Sequence, residues 1–505
     1  MAYKHGPYGE QRAVGDPVAI QSQAGMVVIG TAPVHTLALE SGESYNINKP
    51  VVVNTIAEAR AAFGYSDDWA SYTLCEAMHY ILELRGVGPL ILINVMDPAT
   101  HKKGTQGTKS LTPSNGQVVI TNAESVILET VVVKTGSGQD EQTLVKGTDY
   151  SIAYNWEKKT ITIQELSAGS IGTTALSITY YEADPSAVTN SAVIGTTDDM
   201  GSNTGIYAIR SVYALTGIIP AFMLAPGFSE FPDVHAAMYA NSRKINSHWD
   251  AWMYTDIPLS YTSGGSTVAV TLATAYTWKK ANGYNKENET VSFPMFAGTD
   301  GNKYHGSVLR AGNMLALLSE YDGIPYHSAS NTDANIIENL WLGASVTGRT
   351  YDDDIINRYL NKNGIASAAF VGGRWALWGA ESAQYDQDDA SEVNRAETNL
   401  MMLFYITNDF QHRRFGDTDE PKTPNDIAQM VGEEQALLDG LVSAGALTYA
   451  RAYMDASAIS KSDMYNGDYK FTFDVTPTPL MRSLTALANF VRDGYEVYFN
   501  TGDAA

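Results

Sequence analysis

Cysteine is nearly missing from this chain: Cys75 is the only one in 505 residues. A single thiol makes an intramolecular disulfide impossible and rules out a cysteine zinc cluster, which fits assembly in a reducing cytoplasm. Positive charge is the second shortage. Lys and Arg number 33 against 56 Asp and Glu, a formal net charge of −23. Such a chain repels a phosphate backbone, whose binding depends on basic side chains displacing counterions, so nucleic acid is not an expected partner. The same charge means that self-assembly must overcome mutual repulsion unless opposite charges pair across each interface. Long apolar runs are missing as well. The longest, such as residues 89–95, are strand-sized, and residues 1–10 are polar without the apolar segment of an export signal. Neither a membrane span nor export under the chain's own signal is expected.

The common signatures of chemistry are also lacking. Gly86 and Gly88 have no third glycine to complete a dinucleotide fingerprint, and they precede a strand rather than a helix. No Gly-Lys dipeptide occurs, which excludes a Walker A phosphate loop, and neither Gly-x-Ser-x-Gly nor His-Glu-x-x-His is present. His79 and Glu83 stand one helical turn apart and could share a metal, but they read more simply as polar residues on an otherwise apolar helix. Asp386, Asp388 and Glu397 match a calcium-loop spacing, yet Ala390 takes a ligand position and Ser391 stands where the sharp turn requires Gly. Asp352, Asp353 and Asp354 read as the negatively charged start of a helix. His412, Arg413 and Arg414 are the most concentrated basic group in this acidic chain; they are either a charge complement at a helix C-terminus or a contact for an acidic partner. No catalytic, cofactor-binding or metal site is expected.

What the chain does have is core material. Hydrophobic residues make up 44%, charged residues 18%, and there are 30 Tyr and 8 Trp. At this length one core does not suffice, and about three or four domains are expected. Residues 1–25 read as an extended N-terminal arm with a strand-like alternation at Val18, Ala19, Ile20 and Gln21. Apolar runs at 26–33 and 89–95 read as strands buried on both faces, separated by helices near 55–64 and 69–85, the order of an α/β layer. Thr55 and Thr423 have the spacing of helix caps. Residues 103–191 turn to Thr, Ser, Gly and Val with period-two stretches, which points to an inserted β-sandwich domain whose residues 155–159 turn a hairpin. The α/β pattern then resumes, with strands near 218–224, 249–257 and 291–296 and helices near 232–245, 268–281 and 307–321. It gives a body of residues 26–102 and 192–350. A C-terminal domain at 351–493 carries a hairpin across Gly372 and Gly373 and a long helix near 391–410. A C-terminal arm at 494–505 follows. The fold class expected is a mixed α/β and α+β multidomain chain: a mixed-sheet body, an inserted β-sandwich and extended terminal arms.

Several segments in order carry a resemblance. They are residues 24–33, 48–53, Phe63 with Gly64, 86–95, 224–227, 323–326 with 328–331, the hairpin 372–379 with its Trp378-Gly379, and 445–447. With these the chain resembles the tail sheath family of contractile phages, R-type bacteriocins and related injection machines. The resemblance implies a homopolymer of stacked hexameric rings around a tail tube protein, bounded by baseplate and tail terminator proteins and contracting to drive the tube through an envelope. It places such a chain in a virion tail or tail-like particle, assembled in a host bacterial cytoplasm. It also implies subunits linked by exchanged terminal strands, here Val18, Ala19, Ile20 and Gln21 at one end and Tyr495, Val497, Tyr498 and Phe499 at the other. The C-terminal domain would lie nearest the tube, with Arg413 and Arg414 as tube-facing candidates. The rivals are an α/β enzyme working at the carboxyl ends of its strands and a secreted β-rich adhesin or surface-layer protein.

Overall fold

The computed structural model describes residues 24–40, 42–136, 141–344, 351–386, 391–455 and 459–491. Continuous apolar runs become strands buried on both faces, as a parallel sheet requires. β1 (Ala24–Gly30) is the first, followed by β2 (Val51–Val53) and β3 (Leu90–Asn94). Between them lies α1 (Ile56–Phe63), where the Thr55 side chain accepts the Glu58 N–H, and then α2 (Leu74–Ala77), which runs on as a π-helix over Met78–Leu84.

Residues 107–180 carry seven strands whose alternating pattern buries one face. These are β4 (Gly107–Leu111), β5 (Gln117–Thr121), β6 (Val132–Thr135), β7 (Gln142–Thr143), β8 (Tyr150–Asn155), β9 (Thr160–Glu165) and β10 (Leu176–Tyr180). They form two small sheets, β4-β10-β6-β7 and β5-β9-β8. The two share a separate core that includes Ile120, Val133, Ile161, Ile163 and Ile178. This unit is seated on the rest of the chain. Trp156, in the β8–β9 turn, packs edge-on against Tyr65 at 4.9 Å, and the Arg60 guanidinium lies 4.6 Å over Tyr65 and 4.7 Å over Trp156. A second seam joins the His35 Nε2 to the Glu124 carbonyl at 2.9 Å and the Leu39 N–H to Glu129 at 2.9 Å.

The chain then returns through α3 (Asn190–Ile194), α4 (Val212–Thr216), β11 (Ile219–Leu224), α5 (Pro232–Ala240) and β12 (Trp252–Asp256). After β13 (Ser260–Ser263), β14 (Ser266–Ala269) and α6 (Ala275–Ala281) come β15 (Glu289–Ser292), β16 (Met295–Gly298), β17 (Lys303–Tyr304), α7 (Gly306–Glu320) and β18 (Ile337–Trp341). Next are α8 (Asp353–Tyr359), β19 (Ile365–Val371) and β20 (Arg374–Trp378). Eight of these strands make one sheet in the order β2-β3-β1-β11-β12-β15-β19-β20. The six central strands are parallel, and the edge strands β2 and β20 pair antiparallel to their neighbours. The β19–β20 turn needs left-handed backbone at both central residues, and Gly372 (φ 61) with Gly373 (φ 82) supplies it. α7 is the helix most deeply set against this core. Its Gly312 lets Tyr80 approach so closely that a Cβ there would sit 2.7 Å from the ring.

The last unit contains α9 (Glu392–Arg395), α10 (Glu397–Arg414), α11 (Pro424–Ser443), β21 (Leu447–Met454), α12 (Lys461–Asn466) and β22 (Phe471–Pro477). α10 serves two cores: Met401 and Phe404 belong to that of the large sheet, Met402, Tyr405 and Ile406 to a smaller one closed by Leu438, Leu441 and Leu447.

The fold is mixed α/β with several sheets, as expected, but four boundaries differ. Residues 351–378 complete the large sheet rather than opening a C-terminal domain, so the expected division at 350/351 falls inside the body. The helix expected over 268–281 begins only at Ala275, because 260–269 form an exposed hairpin turned by Gly264 and Gly265. The strand expected over 291–296 is two strands in different sheets, separated at Pro294, which has no N–H for a ladder. The helix expected over 232–245 stops at Ala240, and Lys244 and Asn246 take left-handed backbone beyond it.

Candidate functional site

A sheet of parallel strands ordinarily offers a ligand crevice at the carboxyl ends of its strands. Here that end is occupied by the chain's own ions. Asp256 closes β12, and its Oδ1 accepts the Ser307 N–H at 2.9 Å at the start of α7. The preceding residue, His305, donates its N–H to Glu76 Oε1 at 2.6 Å and sets Nδ1 2.6 Å from Glu76 Oε2, while Nε2 lies 3.6 Å from Glu230. Burial alone would lower the His305 pKa, but the Glu76 and Glu230 carboxylates outweigh it and hold the imidazole well above its ordinary value. Burial also pushes the Asp256 carboxyl up to about 6, against the pull of His305. The cluster ties α2, the segment after β11, the end of β12 and the start of α7 together. Glu76 and Asp256 are buried within it.

Two further buried cations fix the segment between β20 and α10. Arg310, on α7, donates to the Trp378 and Gly379 carbonyls at 3.1 and 2.7 Å and lies 3.8 Å from Glu397, the first residue of α10. Glu397 in turn accepts Thr290 Oγ1 at 2.8 Å and the Ser328 hydroxyl. Lys279 donates to the Asn363 and Ala383 carbonyls at 2.7 and 2.6 Å, and burial lowers its pKa to about 8. Both are structural clamps on backbone.

The C-terminal unit has a different character. β21 and β22 form a two-stranded sheet with no third strand on either side among the described residues. On β21 the outward backbone groups are met by a side chain: Gln435 of α11 accepts the Ala452 N–H at 2.7 Å and donates to the Ala450 carbonyl at 3.3 Å.

Of the residues singled out from sequence, Arg413 and Arg414 are brought together on one partner, and His79 is brought to Glu83. The two arginines meet the buried Glu434 of α11, Arg413 by two bonds of 2.9 and 2.8 Å and Arg414 through Nε at 2.7 Å. Asp409 also pairs with Arg413, and Glu433 and Asp417 with Arg414. Their positive charge is therefore balanced within the chain. Val18, Ala19, Ile20, Gln21, Tyr495, Val497, Tyr498 and Phe499 lie outside the described residues. Asp352 is the cap of α8, accepting the Ile355 N–H. His79 Nδ1 is 3.0 Å from Glu83, while Nε2 faces Asp300 at 3.6 Å, so its two nitrogens serve two partners. Among the described residues no group of three metal-ligating side chains could hold an ion, and no helix is long and apolar enough to cross a membrane. The residues that sequence reasoning missed, Glu76, Asp256, His305, Arg310 and Gln435, share no local spacing that could have flagged them.

The carboxyl end of the parallel sheet is thus held by ion pairs within the chain, and the C-terminal sheet has two strands among the described residues. No protein-family model matches the sequence. It is 24% identical over 507 residues to the tail sheath protein of Burkholderia phage BcepMu, covering 96% of both chains. It is 22% identical over 307 residues to the major tail sheath protein of Serratia phage KSP20, covering 61% of this chain and 72% of that one. In fold it is similar to the sheath complex of the extracellular contractile injection system PVC in the contracted state, with a TM-score of 0.53 and 10% identity over 98% of this chain and all of that one. It is also similar to a chain of the contracted anti-feeding prophage baseplate, with a TM-score of 0.54 and 12% identity over 97% of this chain and 99% of the other. Together these likenesses support a contractile tail sheath family for the chain, and a structural, non-enzymatic role within it.

Proposed function

We propose that this chain is the sheath subunit of a contractile tail, stacking as hexameric rings around a tail tube and contracting to drive the tube through a cell envelope. The observation that carries this is the two-stranded sheet β21–β22, with no third strand beside it among the described residues. A two-stranded sheet is marginal alone, and strand addition supplies backbone hydrogen bonds worth about 0.5–1.5 kcal/mol each. Residues 18–21 and 495–499 are the donated strands in this reading, so several kcal/mol would join each pair of subunits. Six-fold symmetry and contraction are supported by the six-fold symmetrised and contracted assemblies that share the fold. Tube, baseplate and tail terminator are the remaining partners, and assembly in the host cytoplasm is the setting.

Removal of residues 1–22 or 494–505 should leave folded subunits that no longer polymerise, as seen by negative-stain microscopy. Contractile tubes from either truncation would refute strand donation at that end. Residues 103–191 are proposed as an inserted domain decorating the outside, since their Ser, Thr and Lys content suits a solvated surface. Deleting 103–192 should then permit assembly once Tyr65, the partner of Trp156, is made polar. We keep the α10–α11 corner as the tube-facing candidate and give Arg413 and Arg414 the task of holding it. A photo-crosslinker at position 433, beside them, should capture tube protein in extended particles. Capture of another sheath subunit instead would move the corner off the tube.

A further inference from the structure

After β22 the chain runs on through residues 478–491 without helix or strand. Arg482 pins this segment to its own subunit, its Nε 3.0 Å from Glu381 and its Nη2 3.4 Å from the Tyr385 hydroxyl. Among the described residues nothing covers the apolar side chains around it. Met481 is 81% exposed, Leu484 85%, Leu487 86%, Phe490 95% and Val491 67%, a run of exposed large apolar side chains that a soluble monomer does not carry without a use.

The spacing of these residues is that of a helix. At about 100° per residue, Leu480, Met481, Leu484, Leu487, Phe490 and Val491 fall within one half of the helical wheel. Arg482, Thr485, Ala486 and Asn489 take the other half, and Ser483 and Ala488 are the small residues within the apolar one. A strand would scatter the same side chains, with Leu484 and Phe490 on one face and Met481, Leu487 and Val491 on the opposite one. The start is signalled too. Thr478-Pro479 repeats the Thr423-Pro424 that caps and opens α11 in this same chain. An isolated helix of this length is marginal in water, because nucleation is costly and most helical stability comes from packing an apolar face. Here the described residues leave Met481, Leu484, Leu487, Phe490 and Val491 of that face exposed.

We infer that residues 479–491 are an amphipathic helix in waiting, which forms when a second copy of this chain covers its apolar face. The inference rests on the self-assembly proposed above, which makes another copy the surface at hand, and adds to strand donation a separate helical contact upstream of it. Folding on binding would keep the free subunit from polymerising prematurely, since the cost of ordering the segment is met only in the assembled state.

The test uses the full chain and two double variants. Leu484→Glu with Leu487→Glu places two charges on the apolar face, at positions already exposed in the subunit, so the fold should be untouched by circular dichroism. The concentration needed for polymer formation should rise at least about a hundredfold, as expected from losing two buried leucines. Thr485→Glu with Asn489→Glu, on the polar half, should polymerise like the unmodified chain. Hydrogen exchange over 479–491 should be fast in the subunit and, in the polymer, protected at consecutive amides. Protection at alternate amides, free exchange in the polymer, or unimpaired assembly of the leucine variant overturns the helix and leaves the sheath reading standing. Failure of the unmodified chain to form any polymer overturns both.

Discussion

In the body, eight strands end in antiparallel edges, and the carboxyl end of the parallel run is stopped by His305 among Glu76, Glu230 and Asp256. In the C-terminal unit two strands stand by themselves, one edge met by Gln435, and the chain leaves β22 as an exposed apolar run. The first region pairs the buried charges of Glu76, Arg310 and Glu397 within the chain; the second has a sheet of two strands with no third among the described residues. On the sheath reading proposed above, the carboxyl end of the parallel run is held by ion pairs within the chain, and a neighbouring subunit would add to the small C-terminal sheet.

The comparison breaks most sharply if the body is not closed. His305→Gln removes the cation from the fully buried Glu76, which then has no counter-charge. Leaving a buried charge unpaired costs about 3–5 kcal/mol, so the urea midpoint of the body should fall steeply; an unchanged midpoint would mean that water reaches the site. On the other side of the comparison, Glu434→Ala strips the carboxylate that joins α11 to both Arg413 and Arg414. We expect a loss of about 2–3 kcal/mol confined to the C-terminal unit, read as faster amide exchange in α11 and β21 with the large sheet unaffected. Exchange rising equally in β1 and β11 would show the two regions to be one cooperative unit.

A third outcome follows from pH. The folded-state pKa of Asp256, about 6, lies above its ordinary value, so the native state holds this proton more tightly than the unfolded chain does. Its contribution favours folding as pH falls toward 4 and is lost as pH rises through about 6. His305, also raised, adds stability below its ordinary value that is lost as pH climbs through its elevated native one. The body should therefore be less stable at pH 9 than at pH 6. Asp256→Asn, which keeps an acceptor for the Ser307 N–H, should remove roughly 2 kcal/mol of the slope between pH 4 and 6. An unchanged slope would assign it to other groups.

Much of the fold was legible because its signals are local. The apolar runs at β1 and β3, the paired glycines of the β19–β20 hairpin, the alternation of β5, β8 and β9, and the caps at Thr55, Asp352 and Thr423 each lie within a few residues. The ionic cluster was not legible, since residues 76, 230, 256 and 305 meet only after the sheet has been assembled. The basic pair Arg413 and Arg414 was visible but its partner was not, because Glu434 follows 20 residues later on another helix. The boundary at 350/351 was misplaced for a related reason. The aspartates 352–354 marked the start of α8 in sequence, while β19 still had to pair with β15 to finish the sheet.

The smallest effect concerns a single side chain and separates the two edges of the C-terminal sheet. Gln435 lends its amide to Ala452 and Ala450 on the outer side of β21, the role a neighbouring strand would otherwise take. A second bond, from its Nε2 to Asp439 at 2.8 Å, holds the amide in place. Edges covered in this way are protected from pairing, so a neighbour's strand should add along β22, whose outer side has no strand among the described residues. Gln435→Ala leaves one N–H and one carbonyl of β21 to water and should cost the subunit about 1 kcal/mol. If β22 is the accepting edge, the concentration at which tubes form should stay where it was, because the altered edge is not the one used. If β21 is the accepting edge, removing its cover would lower that concentration several-fold despite the weaker subunit. Tubes forming more readily would therefore overturn the assignment to β22 and make Gln435 a placeholder displaced on assembly.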